Sequence, residues 1–324
     1  MPLQSEPETR MDRRTETPVY DESMSPSSGP PPRRGISRRR FLQTGALGAF
    51  GLAVYSGEIE RHWIEVTRRE AAIPGLPGDF DGLKVVQLSD IHLDDFTEPF
   101  FLRDAVRHTN QLDPDVIFLT GDYVTNPLGR RLGFGPKFAV GAAWQCADIL
   151  RGLRCRRIYA VLGNHDIQVD AKQVTTALSD NGIVVLRNSY IPVEQGKSRF
   201  WLAGLDDPVA GHPNPDLAIP GAIRNLAGEP VILLCHAPDY ASRLSAMPAG
   251  QAVSLMLSGH THGGQIRLPL IGPIVLPIGG RLYPEGPYRL GSLQLYVNRG
   301  LGTVGVPFRL DCPPEITLHT LRSV

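Results

Sequence analysis

Five apolar, β-branched runs in this chain each end on a cluster of Asp, Asn or His, a pattern that few folds accommodate. Leu83-Lys-Val-Val-Gln-Leu-Ser89 ends at Asp90-Ile-His92, Asp115-Val-Ile-Phe-Leu-Thr120 at Gly121-Asp122, and Ile158-Tyr-Ala-Val-Leu162 at Gly163-Asn164-His165-Asp166. Val231–Leu234 leads into Cys235-His236, and Ser254–Leu257 into Gly259-His260-Thr261-His262. Short runs of this kind read as buried strands. Helical stretches at 98–111 and 138–153 separate the first three, and a third at 171–181 is stopped by Gly182. Strand and helix alternating at this spacing imply parallel crossovers and a layered α/β domain. In such sheets the carboxyl ends of the strands face one crevice, so the five clusters are expected to converge.

The second half changes character. Strand candidates at 183–186, 200–204, 231–234, 254–257, 293–297 and 316–321 are joined by Gly- and Pro-rich connections, as a second sheet packed on the first would require. With no internal repeat and no further composition break, 58–324 reads as one domain.

Five of the nine histidines fall in the clusters, whereas His62, His108, His212 and His319 belong to none and read as ordinary. A pair of divalent cations needs a bridging carboxylate and N and O ligands drawn from several strands, and a mixed N/O set suits Mn, Fe or Zn. In D-x-H and H-x-H the two ligands point to one side of an extended chain. Cys146, Cys155, Cys235 and Cys312 show no C-x-x-C spacing and no nucleophile motif, and read as small buried hydrophobes. Asp206 and Asp207, before Pro208, read either as a turn or as the rim of a pocket, and Arg187 and Asn188 as contacts for a phosphate substituent. The apolar stretch 266–280, interrupted by three prolines, reads as a loop or edge hairpin beside the site. Its two readings are packing over the second sheet and an exposed apolar lip.

Composition matters most at the amino end. The chain carries 33 Lys and Arg against 33 Asp and Glu, so no bulk basic field supports nucleic-acid binding. Setting aside the eight arginines and six acids of residues 1–40 leaves 25 basic and 27 acidic residues, a slightly acidic remainder. Residues 1–36 are expected to be disordered, because they hold too few aliphatic side chains to offset ordering entropy. Ser37-Arg38-Arg39-Arg40-Phe41-Leu42 before the weakly apolar run to Tyr55 has the form of a twin-arginine export signal, and 37–57 is assigned as that signal or a membrane tether. From Phe41 to Tyr55 a helix would reach roughly 22 Å, short of the ~30 Å hydrocarbon core. The twin-arginine translocation machinery is thus an expected partner and the periplasm or cell envelope the expected location, with a membrane surface as a further expected contact.

The ordered series D-x-H, G-D, G-N-H-D, H, G-H-T-H resembles the calcineurin-like metallophosphoesterase superfamily over about Leu83 to Arg267. The twin-arginine start, Gly204-Leu-Asp-Asp-Pro208, Gly259–Arg267 and Cys312-Pro-Pro-Glu-Ile-Thr resemble its exported bacterial phosphodiesterase branch. The resemblance implies a four-layer α/β-β/α fold of two packed mixed sheets flanked by helices. It puts Asp90, His92 and His262 on a first divalent metal and Asn164, His236 and His260 on a second, with Asp122 bridging. It places His165 near the leaving-group oxygen as a protonated donor, and Asp166, where Glu is commoner, as the group that would orient it. The activity implied is that of a monomeric phosphodiesterase, in which a metal-bridging hydroxide attacks an envelope or membrane-proximal phosphodiester. Alternatives are a UDP-sugar lipid pyrophosphatase, a phosphomonoesterase or protein phosphatase, and a non-catalytic metal-binding envelope protein.

Overall fold

Residues 37–94, 96–126, 136–224 and 226–324 are described by the structure, a computed structural model. The expected disorder of 1–36 lies outside them. Helix α1 (Arg38–Val54) buries none of its side chains. Packing divides the chain into Met1–Leu47 and Gly48–Val324, and the remaining elements belong to the second unit.

Strands β1 (Glu65–Ile73), β2 (Lys84–Leu88), β3 (Val116–Leu119), β4 (Ile158–Ala160) and β5 (Val184–Val185) join the carboxy-terminal strand, β14 (Glu315–Ser323), in one six-stranded sheet. Its order is β1-β14-β2-β3-β4-β5, with β2 to β5 parallel and β14 antiparallel to β2. The second sheet contains β6 (Ser189–Gln195), β7 (Ser198–Gly204), β8 (Val231–Leu234) and β9 (Val253–Ser258). A small antiparallel pair, β10 (Arg267–Leu268) and β11 (Gly272–Pro273), stands apart, and β12 (Gly286–Leu290) and β13 (Leu293–Val297) complete the second sheet in the order β12-β13-β9-β8-β7-β6.

Alternation along each strand sets the layers. Val85, Val116 and Phe118 face the space between the sheets, where they meet Phe200, Leu202, Ile232, Leu234, Leu255 and Leu257. Their neighbours Val86, Ile117 and Leu119 face outward, against α2 (Pro99–Gln111), α3 (Pro136–Leu150) and α4 (Asn164–Asp180). In the second sheet Val231, Leu233 and Met256 face outward, under short helices at Pro215–Ala218, Tyr240–Leu244 and Pro248–Gln251. Helix α2 shows why these stretches are helical: Phe101, Leu102, Ala105, Val106 and Thr109 make one buried stripe, and Pro99 opens the first turn, where its missing N–H costs nothing. The architecture is the expected pair of mixed sheets flanked by helices.

One helix boundary differs from expectation, and the 266–280 run takes the hairpin form expected of it. Helix α4 starts at Asn164, not at 171, because the ligand-bearing cluster itself forms its first turn. At Asp170 the backbone is extended and the side chain accepts from the Lys172 and Gln173 N–H groups, so the expected helix is the restarted second part. The run 266–280 forms the β10–β11 hairpin, which leaves Ile271, Val275 and Ile278 exposed. The four cysteines are free; Cys146, Cys235 and Cys312 are buried, as small hydrophobes would be, and Cys155 is partly exposed.

Candidate metal centre

The loops that leave the parallel strands carry the cluster in unusual backbone. Asp90, His92, Asp122, His260 and His262 all have φ between +49° and +73°, a left-handed region that non-glycine residues seldom occupy. This corrects the expectation that D-x-H and H-x-H converge through extended alternation. The chain curls instead, and adjoining loops hold the curl: the Asp90 N–H donates to Gly121 O, and the His92 N–H to Asp122 O. Glycines allow that approach. A β-carbon on Gly163 would lie inside contact distance of Asp122 Oδ1, and one on Gly259 inside that of Ser89 Oγ and Asp90 Oδ2.

The side chains meet in two groups, Asp90–His92–His262 and Asp122–His236–His260, and a third, His92–Asp122–His165, shares one member with each. His262 Nε2 lies 3.4 Å from Asp90 Oδ1, and Asp122 Oδ2 lies 3.4 Å from His92 Nε2 and 3.2 Å from His236 Nε2, so one carboxylate oxygen reaches both groups. The far nitrogen of each ring is taken by an acceptor. His236 Nδ1 donates to Thr120 O, His260 Nε2 to Ile278 O, and His262 Nδ1 to Gly302 O. His92 Nδ1 meets Thr125 Oγ1, whose own proton goes to Asp94. A neutral imidazole with one nitrogen donating presents a bare lone pair on the other. Four such nitrogens therefore face two carboxylates, with His262 Nε2 only 3.2 Å from His92 Nε2 and His260 Nδ1 only 3.2 Å from His236 Nε2. Lone pairs this close repel unless a cation or proton sits between them, and outer hydrogen bonds of this type are what metal-binding histidines carry. Asn164 Oδ1, buried without a partner, adds a neutral oxygen. Seven residues thus fit two divalent cations.

Without cations, protons take their place. Burial alone would depress His236, but the Asp122 carboxylate outweighs it and raises the ring well above its ordinary value, and hydrogen bonding to Asp122 likewise raises His92 against burial. A cation binds the deprotonated ring, so proton and metal compete for these two histidines.

His165 lines the cavity beside the cluster, its ring edge-on to His92 at 4.8 Å between centroids. The Asn126 N–H donates to its Nδ1 at 2.8 Å, which leaves the ring proton on Nε2. Burial pushes its pKa down to about 4. The expectation of a protonated imidazole is corrected to a neutral Nε2–H donor. Asp166 is corrected as well: its carboxylate accepts from the Asp122, Tyr123 and Gly163 N–H groups and makes no hydrogen bond to His165. Its longer homologue Glu is not needed for that task, and burial with the Asp122 charge nearby pushes Asp166 up to about 7. It positions the Asp122 loop.

Arg187 and Asn188 do not stand free for a phosphate substituent. Arg187 makes two bonds to the Asp206 carboxylate, at 3.0 and 3.1 Å, while Asn188 holds the Asp206 and Asn214 N–H groups. Asp207 closes a turn by accepting from Val209 and Ala210, as its place before Pro208 suggested. A residue missed from sequence is Arg309, fully buried, whose guanidinium donates to the carbonyls of Arg299, Gly300, Gly302 and Cys312. That loop accepts from His262 at Gly302 O and donates to Asp90 O through the Gly302 N–H. No carboxylate spacing announces a partner made of carbonyls.

A cavity of about 460 Å³ opens over the cluster. Asp122, Asn164, His165, His260 and His262 line one side, and Ile266, Ile274, Val275 and Val306 the other.

Known proteins are similar to this chain over the span that carries the cluster. A family model described as Calcineurin-like phosphoesterase matches residues 83–264, the span that holds all seven ligand candidates. The chain is 38% identical over 299 residues to the uncharacterized metallophosphoesterase YkuE of Bacillus subtilis, covering 89% of this chain and 98% of that protein. It is 32% identical over 295 residues to phosphodiesterase YaeI of Escherichia coli, covering 88% and 99%. It is 26% identical over 323 residues to the UDP-2,3-diacylglucosamine pyrophosphatase LpxG of Chlamydia trachomatis, covering 82% and 91%.

Proposed function

The chain belongs to the calcineurin-like phosphoesterase family and is a metal-dependent phosphoric ester hydrolase, and from that premise we propose that it hydrolyses phosphodiesters in the cell envelope. The observation that carries the choice of diester is the cavity lining. It offers an apolar wall, made by Ile266, Ile274, Val275 and Val306, where the second organic group of a diester would rest. The likeness to phosphodiesterase YaeI supports the same choice.

Two divalent cations, when bound, would acidify a water and neutralise phosphoryl oxygens. Asp90, His92 and His262 would hold one, and Asn164, His236 and His260 the other, with Asp122 shared between them. The chain's own part is orientation: far-side hydrogen bonds to Thr120, Thr125, Ile278 and Gly302 fix each ring so that its bare nitrogen faces the cluster. His165, held by the Asn126 N–H, presents Nε2–H as a neutral donor to the leaving oxygen.

Export by the twin-arginine route is the reading of Ser37–Leu42, supported by the fully exposed helix that carries it. No described helix is long and apolar enough to cross a membrane. A second reading, hydrolysis of a UDP-sugar lipid pyrophosphate, is favoured by the same apolar wall and by the likeness to LpxG. Turnover of bis-nitrophenyl phosphate, nitrophenyl phosphate and a UDP-linked lipid, with Mn, Fe or Zn restored, tests the proposal. Preference for the diester supports it; preference for the monoester contradicts it, and selective cleavage of the UDP-lipid moves the assignment to the second reading.

A further inference from the structure

We propose that the β10–β11 hairpin is a membrane-docking element that seats its tip in an anionic bilayer and brings the mouth of the catalytic cavity to headgroup level. Scattered exposed aliphatics are ordinary, but a contiguous group is not. Between Arg267 and Arg281 the chain has no charged residue, and Leu270, Ile271, Ile274, Val275 and Ile278 are all more than half exposed. Leu270 has φ +67°, a conformation costly for a bulky side chain, and is completely exposed. The fold holds an apolar side chain outward at a cost and leaves it uncovered.

The hairpin is seated on the site. The Ile274 N–H donates to Ile266 O, the Arg267 N–H to Leu310 O, and Pro273 packs so tightly on Gly264 that a β-carbon there would clash. Gly264 is two residues from His262, and Ile274 and Val275 line the catalytic cavity. The tip therefore moves with the metal centre as one piece.

A second apolar element opens onto the same face. Leu52, Tyr55 and Trp63 share a groove of about 700 Å³ with Leu268 and Pro269. Trp63 is 64% exposed, and Phe50, in the same helical stretch as Leu52, is 69% exposed. An exposed tryptophan beside aliphatics is the composition of a membrane interface. Charge selects the lipid. Residues 38–57 contain three arginines and no acid, and Arg281 stands exposed at the end of the hairpin segment. Of the three carboxylates bordering the groove, Glu60 is engaged by the Cys312 N–H and Glu65 by Arg299, and Asp311 is exposed. An aliphatic tip whose segment ends at the exposed Arg281, in a chain whose amino-terminal segment carries three arginines, matches a bilayer bearing anionic headgroups.

The full chain is tested on vesicles of phosphatidylcholine with and without phosphatidylglycerol. Leu270→Ser/Ile271→Ser is expected to weaken binding to the anionic vesicles about tenfold or more, with hydrolysis of soluble bis-nitrophenyl phosphate unchanged, since neither side chain lines the cavity. In parallel, Leu270→Trp is expected to gain fluorescence quenching from acyl-brominated lipid that Val184→Trp, on the edge strand β5, does not. Unchanged vesicle affinity of the double variant, or equal quenching at both positions, would overturn the proposal by leaving the amino-terminal segment as the sole anchor. A lipid-free dimer dispersed by the double variant would overturn it in favour of a second copy of this chain. Failure of the diester assay leaves these readouts untouched, because vesicle binding needs no turnover.

Discussion

His165 separates catalysis from metal binding at a single side chain. Its Nδ1 is committed to the Asn126 N–H, so it cannot join a cation through that atom and offers one proton to the cavity. His165→Ala is expected to retain both metals and to lose about 10²- to 10⁴-fold in turnover. Asp122→Ala removes the carboxylate oxygen that faces both His92 and His236, and is expected to lose metal as well. Metal content by elemental analysis beside turnover distinguishes the two; full activity in either variant, or metal loss in the first, would contradict these roles. The residues that hold these ligands were less legible than the ligands. Asp90, Asp122, His236, His260 and His262 announce themselves by following apolar runs, and they do converge. Arg309 does not, because its partners are main-chain oxygens of residues 299–312, which any sequence would supply.

The elements explain what else was and was not readable. Central strands β2, β3, β8 and β9 are buried almost throughout, so their β-branched runs stand out. Strand β1, with exposed Glu65, Arg68 and Glu70, and the edge strands β6 and β12, with Pro192 and Pro287, lack that signal and were not expected. The first turn of α4 escaped for another reason: Asn164, His165 and Asp166 have a chemical explanation that masks the helical one. The turn also depends on Gly163, whose neighbour across the loop is the Asp122 carboxylate. Gly163→Ala is expected to keep the secondary structure seen by circular dichroism and to lose bound metal, since Asp122 must move to admit the methyl group. Undiminished metal binding in that variant would show that the loops have more freedom than their packing implies.

At the scale of the whole molecule, the interior between and behind the sheets contains a titratable group unrelated to catalysis. His319 on β14 is buried completely, its Nε2 3.1 Å from Gln87 Oε1, and burial pushes its pKa down to about 4 from an ordinary 6.5. The unfolded chain therefore binds this proton first as pH falls from about 6.5, and stability is lost down to about pH 4, by up to about 3 kcal/mol. In metal-free protein, His319→Gln is expected to lose less stability than the parent over that window when urea midpoints are compared. Equal slopes would mean that the ring titrates normally in the fold. The neutral overall charge conceals a similar division: an arginine-bearing amino-terminal segment offsets a slightly acidic remainder whose carboxylates include two turned inward on the histidine cluster. The central claim is that Asp90, His92, Asp122, Asn164, His236, His260 and His262 form one centre for two cations. Anomalous diffraction from crystals loaded with Mn or Zn tests it most directly. Two peaks about 3.5–4 Å apart are predicted, one beside Asp90, His92 and His262 and one beside Asn164, His236 and His260, with Asp122 between them. A single peak, or a second peak that Asn164 Oδ1 does not touch, would contradict it.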